Sequence, residues 1–191
     1  LIPDGGYPAL KLRLSAESTV DQTLYDEINP KDSLDAIKSK LALRITHTID
    51  ETNRSLDDAA FQAASQLIAD NASVYVYGLG ASNVVATDFE QKFIRIGKAV
   101  IHSQDPHLLA VGMTTQRQNV VLLLISNSGE KSESIRLANL AHSINIPVIV
   151  LSRNATSTLG KLADIILIND DSEENQTARA AATTSLMAQL Y

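Results

Sequence analysis

The sequence predicts an α/β protein with a three-layer, doubly wound sheet of five parallel strands and a helical N-terminal leader. Two observations predict this fold. Short runs of β-branched and apolar residues alternate with helical patterns over about 120 residues, which is typical of strand–helix–strand units in a parallel sheet. One run, Val120 to Ile125, is apolar throughout, as expected of a strand that is covered on both faces.

The elements follow from the local period of apolar residues. In the first helix, Leu34, Ile37 and Leu41 recur at helical spacing. In the third, Gly97 stands where a helix often ends. The predicted strands are 73–78, 98–102, 119–126, 147–152 and 164–169. The predicted helices are 33–53, 56–70, 82–97, 106–116, 131–145, 156–163 and 174–191.

Residues 1–31 and 32–191 are expected to have different roles. The first stretch contains Gly5-Gly6 and three prolines, which is typical of a tail or linker. The second is predicted to be one domain that includes the helical leader, 33–70. Because the chain begins at Leu1 without an initiator methionine, it is expected to be part of a longer protein.

Composition excludes several function classes. The chain has 191 residues, of which 45% are hydrophobic, so it can bury a full core. A net charge of -6, aromatics at 4% and no tryptophan argue against direct binding of nucleic acid. The absence of cysteine excludes disulfides, thiolate metal sites and cysteine nucleophiles. No signal peptide or membrane span is predicted, and a cytoplasmic location without membrane contact is expected.

Three predicted strands end in serine-containing turns: "GLGAS" at 78–82, "SNSGE" at 126–130 and "LSRN" at 151–154. In an open parallel sheet, ligands bind at the carboxyl ends of the strands, where the strand order reverses. Glycines allow close backbone approach there, and each following helix presents unpaired N–H groups to an anion. Ser82, Ser126, Ser128 and the N–H groups from Asn127 onward are therefore predicted to bind a phosphate, with Lys131 as counter-charge.

Other interpretations of these turns remain open. The pattern at Gly78 and Gly80 suggests a dinucleotide site, but Asn83 occupies the third glycine position of that motif. The sequence contains no phosphate-binding loop of the Walker type. A purely structural role, in which the serines only cap helices, is the remaining alternative.

The segments "VYVYGLGAS", "VVLLLISNSGEKSESI" and "IPVIVLS" resemble the SIS, or sugar isomerase, domain, a flavodoxin-like doubly wound fold that binds phosphosugars. Ser126, Ser128, Gly129 and Glu133 match the serine signature of that family. Lys131 differs, because many members carry threonine or serine at this position. A basic residue there is familiar from one branch, the RpiR-type transcriptional regulators.

Two more segments are similar to that branch: "DPHLLAVGMTTQ" (105–116) and "EENQTARAAATTSLMAQL" (173–190). The segment "GGYPALKLRLSAE" (5–17) is similar to the end of the regulators' helix-turn-helix domain. The resemblance implies an effector domain that binds a sugar phosphate and contacts DNA only through an upstream helix-turn-helix domain, mostly absent here. It also implies a homodimer or higher homo-oligomer.

The expected ligand set combines the strand-end turns and the resemblance. It comprises Gly80, Ser82, Ser126, Asn127, Ser128, Gly129 and Lys131, with His107, Ser152 and Arg179 as further candidates. No catalytic residue, cofactor or metal is expected. Possible bases for an isomerase are Glu130, Glu133, Glu173, Glu174, His102 and His107, of which Glu130 and Glu133 are expected in the first turn of a helix.

No acid and base pair is evident among these groups, which favours a sensor over an enzyme. A phosphosugar isomerase or lyase that uses the same site is the alternative. A structural dimerisation module without a ligand is a third possibility.

Overall fold

A computed structural model describes residues 28–116 and 118–169. Residues 1–27 of the predicted N-terminal linker, the helix predicted at 174–191, and Arg179 lie outside the described residues. By internal contacts the chain divides into two units, residues 1–47 and 48–191. The predicted domain boundary at residue 32 stays a prediction.

The sheet has five parallel strands in the order β2-β1-β3-β4-β5. The strands are β1 Ser73–Gly78, β2 Ala99–His102, β3 Val120–Ile125, β4 Val148–Ser152 and β5 Ile165–Ile168. β1 and β3 are neighbours, with Gly78 in register with Ile125, so their carboxyl ends lie side by side. The chain leaves β1 towards β2 on one side and continues from β3 towards β5 on the other. The strand order therefore reverses between β1 and β3, and the predicted doubly wound sheet is confirmed.

Helices cover both faces of this sheet. They are α2 Asp58–Asp70, α3 Ala81–Arg95, α4 Pro106–Thr115 and α5 Ser132–Ser143, and they follow a further helix, α1 Leu34–Ser55. Tyr75 faces a core cluster that includes Leu109 of α4 and Leu137 of α5. Val74 faces the opposite cluster, which includes Val85 of α3. Burying each such large apolar side chain contributes about 1.5–3 kcal/mol, which explains why the strands carry almost uninterrupted apolar runs.

The prediction of a helix at 156–163 is wrong. The structure has only a short 3₁₀ turn there, Gly160–Leu162. Side chains compete with the helical hydrogen bonds, because Asn154 Oδ1 accepts from Thr156 N at 2.9 Å and Ser157 Oγ donates to Asn154 O at 2.7 Å. The segment remains a loop that leads from β4 to β5.

Candidate functional site

A pocket of about 250 Å³ lies at the carboxyl ends of β1 and β3. It is lined by Leu79, Ala81, Ser82, Ile125, Ser126, Asn127, Ser128, Lys131 and Ser134. Five residues of the expected ligand set, Ser82, Ser126, Asn127, Ser128 and Lys131, therefore share one pocket. It occupies the point of strand reversal at which ligands bind in open parallel sheets.

Two serine hydroxyls of this pocket are buried. Ser126 is 3% exposed and Ser134 is 1% exposed. Neither Oγ atom has a hydrogen-bond partner within residues 28–116 and 118–169. A buried hydroxyl without a partner costs about 1–3 kcal/mol, and these two lie in the same pocket. A ligand oxygen that accepts from both hydroxyls would remove that cost.

Neither of the two residues that precede the helices beginning at the pocket caps its helix with a side chain. Gly80 precedes α3 and Lys131 precedes α5, and neither position has a side-chain capping hydrogen bond. The first N–H groups of each helix point out of its N-terminus and carry a partial positive charge. The pocket thus joins two N-termini suited to an anion with hydroxyl donors between them.

The turn after β3 is held from behind by the turn after β4. The carbonyl of Asn127 accepts from Ser152 Oγ at 3.2 Å and from the N–H of Arg153 at 3.3 Å. Gly129 has φ +67°, and an added Cβ there would lie 2.1 Å from Ser157 Oγ. Glycine is needed at position 129 because the backbone is left-handed and a neighbouring side chain fills the space.

The other candidates lie around the pocket. Gly80 caps α3 with φ +62° and has open space where a Cβ would be. His107 is exposed in the first turn of α4 and does not line the pocket. Ser152 is fully buried behind the pocket, where it holds Asn127. Gly129 also stands behind the pocket, against Ser157. Ligand binding by these residues stays a prediction.

Ser134 is the residue that sequence reasoning missed. It lies in the first turn of α5, at a spacing that looked like an ordinary helical position after the serine signature. Its distance of eight residues from Ser126 was not a recognisable motif. The one sequence signal was a small polar residue on a face of α5 that otherwise buries Leu137, Ala138 and Ala141.

The carboxylates near the pocket are engaged elsewhere. The pKa of Glu130 is lowered, chiefly because the carboxylate accepts from the backbone N–H and then the hydroxyl of Thr158. The pKa of Glu133 is lowered, first by its own backbone N–H and then by Ser132. Burial raises the pKa of Tyr77, with a smaller contribution from the charge of Glu133. Glu130 precedes α5, so its predicted place in the first helical turn is wrong.

His102, another possible base, has both ring nitrogens in contacts with α3. Nε2 lies 2.9 Å from Asn83 Oδ1, and Nδ1 lies 3.3 Å from Glu90 Oε2. No acidic residue or histidine is among the described residues that line the pocket. The described part of the site therefore offers donors for an anion and no evident general base.

A second, larger cavity of about 600 Å³ lies on the face of the sheet covered by α2 and α3. Most of the residues that line it are apolar, including Phe61, Phe89 and Leu123. None of the described residues in the expected ligand set lines this larger cavity. Across those same residues, no cluster of three metal-ligating side chains occurs, and no helix is long and apolar enough to cross a membrane.

Comparison with known families identifies the fold. The SIS domain matches residues 67–191, about two thirds of the chain. This chain belongs to the SIS domain family. The match contains the pocket, both uncapped helix starts and every described residue of the expected ligand set.

Among curated proteins, this chain is 32% identical over 187 residues to the uncharacterized HTH-type transcriptional regulator YbbH of Bacillus subtilis. The alignment covers 97% of this chain and 66% of YbbH. Across the first three relatives, the chain spans 58 to 66% of their length. The predicted likeness to regulators is confirmed at the level of this domain.

Solved structures show the same fold. The Vibrio vulnificus NanR protein, complexed with ManNAc-6P, superposes with a TM-score of 0.75 at 24% identity, covering 94% of this chain and 63% of NanR. A phosphoheptose isomerase from Francisella tularensis superposes with a TM-score of 0.66 at 22% identity, covering 83% of this chain and 95% of the isomerase. At these identities the likeness extends to the fold alone. One of the two proteins is an enzyme, so the fold does not separate sensing from catalysis.

Proposed function

We propose that this domain binds a sugar phosphate at the pocket between β1 and β3, and that it is the effector domain of a transcriptional regulator. One observation carries the binding proposal: Ser126 and Ser134 hold buried hydroxyls, unpartnered within the described chain, beside two uncapped helix starts. Hydroxyls, helix N–H groups and the Lys131 ammonium are all hydrogen-bond donors. A phosphate dianion accepts several of them at once.

The charge of the pocket supports a phosphate over a neutral ligand. Lys131 is the charged residue among the described residues that line it, and the partial positive charge of two helix N-termini adds to the ammonium. A phosphate group at this point would leave the sugar to extend towards Leu79, a lining residue that is 45% exposed. The ligand reported in the NanR structure, ManNAc-6P, is a sugar phosphate of this kind.

The regulatory part of the proposal rests on the curated relatives, which are named HTH-type transcriptional regulators. In the full-length protein, a helix-turn-helix domain preceding residue 1 would bind DNA. Ligand binding here would change the relative placement of two such domains in a homodimer or higher homo-oligomer. Coupling of this kind typically amounts to about 1–3 kcal/mol. A cytoplasmic location follows from that role.

The binding proposal is tested by thermal denaturation of this chain against a panel of sugar phosphates, each paired with its unphosphorylated sugar. A true ligand at a hundredfold excess over its Kd stabilises the folded state by about 2.7 kcal/mol. We expect stabilisation by one or a few phosphorylated sugars and none by their free counterparts. If no member of the panel raises Tm, or if free sugars act equally well, the proposal is wrong.

The regulatory proposal is tested with the full-length protein and DNA from its own promoter region. Fluorescence anisotropy with and without the best stabiliser should show a change of about five- to 150-fold in DNA affinity. Binding of the stabiliser without any effect on DNA affinity would leave a sugar-phosphate site with no regulatory output.

A phosphosugar isomerase is the second candidate, and the shared fold of the phosphoheptose isomerase favours it. An isomerase needs a base within hydrogen-bond reach of the carbon-bound proton that moves. The described pocket lining supplies none. Incubation of the best stabiliser with the protein in D₂O, followed by ¹H NMR, distinguishes the two: turnover or deuterium incorporation indicates an enzyme, and an unchanged spectrum indicates a sensor.

A further inference from the structure

We propose that Glu130 is a positioning residue for the site: it locks the turn that carries the ligand serines into its phosphate-binding conformation by clamping Thr158. This inference rests on the proposed function and deepens it. We call residues 126–131 the ligand turn and residues 153–159 the supporting turn. Glu130 does not line the pocket, so it would act through the residues beside it.

The clamp is a pair of hydrogen bonds between the two turns. Glu130 Oε1 accepts from the backbone N–H of Thr158 at 2.8 Å, and Oε2 accepts from Thr158 Oγ1 at 2.7 Å. Both carboxylate oxygens are therefore engaged by one residue 28 positions away in the chain. Charge-assisted bonds are about twice as strong as bonds between neutral groups. The lowered pKa of Glu130 agrees with a carboxylate held in its ionised form.

The clamp lies next to the donors of the ligand turn. The backbone N–H of Glu130 points to Ser128 Oγ at 3.4 Å. On the other side, the carbonyl of Gly129 accepts from the N–H of Leu159 at 3.0 Å. Asn127 is tied to the same supporting turn through its carbonyl and the N–H of Arg153. The ligand turn is thus bound to the supporting turn at Asn127, Gly129 and Glu130, and Glu130 provides the side-chain contacts.

The charge of Glu130 and its hydrogen bonds to Thr158 should have opposite effects on phosphate binding. A carboxylate close to a phosphate site repels the phosphate, so removing the Glu130 charge alone should strengthen binding. Loss of the clamp should instead weaken binding, because an unfixed turn loses conformational freedom when the ligand binds. The two effects have opposite signs, and side-chain substitutions can separate them.

The experiment is a titration of this chain with inorganic phosphate, followed by ¹H–¹⁵N NMR of the backbone amides in residues 126–134. Glu130→Gln removes the charge but keeps an acceptor and a donor for Thr158, so we expect affinity equal to or above that of the wild type. Glu130→Ala removes charge and clamp together, and we expect affinity to fall about fivefold. Thr158→Val, which removes one of the two bonds and keeps the charge, should also weaken binding.

Thr158→Ser is the matched conservative variant, because it keeps the hydroxyl, and it should restore wild-type affinity. Equal or tighter phosphate binding by Glu130→Ala, in a chain whose spectrum shows an intact fold, overturns the proposal. If Glu130→Ala does not fold, the Thr158→Val and Thr158→Ser pair decides: equal affinities for these two variants overturn it.

Failure of the proposed function has a different signature. If the wild-type protein binds neither phosphate nor any sugar phosphate, the proposed function is wrong. Hydrogen–deuterium exchange of the ligand-free protein then tests the clamp by itself. Faster exchange of the amides in the ligand turn of Glu130→Ala supports the clamp, and unchanged exchange refutes it.

Discussion

The starts of α4 and α5 have nearly the same backbone geometry and opposite chemistry. The residue before each helix is extended: Asp105 has φ −89° and ψ 110°, and Lys131 has φ −75° and ψ 125°. The Asp105 carboxylate accepts from the N–H of His107 at 2.8 Å, and Pro106 removes one more donor from the first turn. The Lys131 side chain makes no capping hydrogen bond, and within the first turn of α5 the Glu133 carboxylate accepts only from its own N–H and from Ser132.

The difference shows where the chain completes its own hydrogen bonds and where it leaves donors for another molecule. An aspartate at the helix start supplies both an acceptor and a negative charge, which satisfies the N–H groups and disfavours an anion. A lysine at the same backbone geometry supplies neither acceptor nor negative charge. Asp57 caps α2 as Asp105 caps α4, so the pocket helices differ from helices of the same domain that begin elsewhere.

The first prediction concerns a substitution that gives α5 an aspartate cap like that of α4. Position 131 has an extended backbone, so the carboxylate introduced by Lys131→Asp can accept from the N–H groups in the first turn of α5. The free energy of unfolding should therefore rise by about 1 kcal/mol. Affinity for the sugar phosphate should fall about a hundredfold, because an ammonium is lost and a repulsive charge is gained. Urea denaturation measures the stability, and isothermal titration calorimetry measures the affinity.

Lys131→Thr is the comparison variant for this experiment. It removes the ammonium without adding a negative charge, and its hydroxyl can still donate to a phosphate, so we expect binding to persist. A Lys131→Asp protein that binds the sugar phosphate as tightly as the wild type would show that the anion does not sit at the start of α5.

Most of the fold could be predicted from the sequence, because the sheet is built from apolar runs with sharp ends. β1, Ser73–Gly78, matches its predicted bounds, since a β-branched run closes on a glycine there. The segment 156–163 was mispredicted because its apolar residues have helical spacing. The local bonds of Asn154 and Ser157 that prevent a helix are visible only once the loop has its three-dimensional path.

The sequence predicts the site residues whose position depends on a strand end. It does not predict those whose role depends on the direction of the side chain. Ser126 directly follows β3, Ser82 and Lys131 lie at the starts of the helices that come after β1 and β3, and adjacent parallel strands bring all three together. Ser152 also lies at a strand end, as the last residue of β4, but it does not line the pocket, and its hydroxyl donates to Asn127 O. Ser134 is in the pocket although its sequence context suggested only a helix. Direction of a side chain, unlike the position of a strand end, is set by packing.

The second prediction concerns Ser134. Ser134→Ala removes a buried hydroxyl that lacks a partner in residues 28–116 and 118–169, so the ligand-free protein should be equally stable or slightly more stable. Affinity for the sugar phosphate should fall about tenfold, because a charge-assisted bond is lost. Tm without ligand and the Kd from calorimetry together test this pattern.

Ser143, at the other end of α5, offers a matched control. Its hydroxyl donates to Leu140 O at 2.7 Å, far along the helix from the pocket. Ser143→Ala should leave affinity unchanged. Should Ser134→Ala keep its affinity as well, Ser134 would be a packing residue that does not contact the ligand.

The third prediction concerns the cap of α4, where we expect a change in stability and none in affinity. Asp105→Ala removes the cap, so the free energy of unfolding should fall by about 1 kcal/mol. Asp105→Asn keeps an acceptor for the N–H of His107 and should stay close to the wild type. Affinity for the sugar phosphate should not change in either variant, because Asp105 does not line the pocket. Stability falls while affinity holds, the reverse of the pattern expected at Ser134. Urea denaturation and calorimetry on the same samples test the contrast, and a parallel loss of affinity in Asp105→Ala would mean that the start of α4 also belongs to the ligand site.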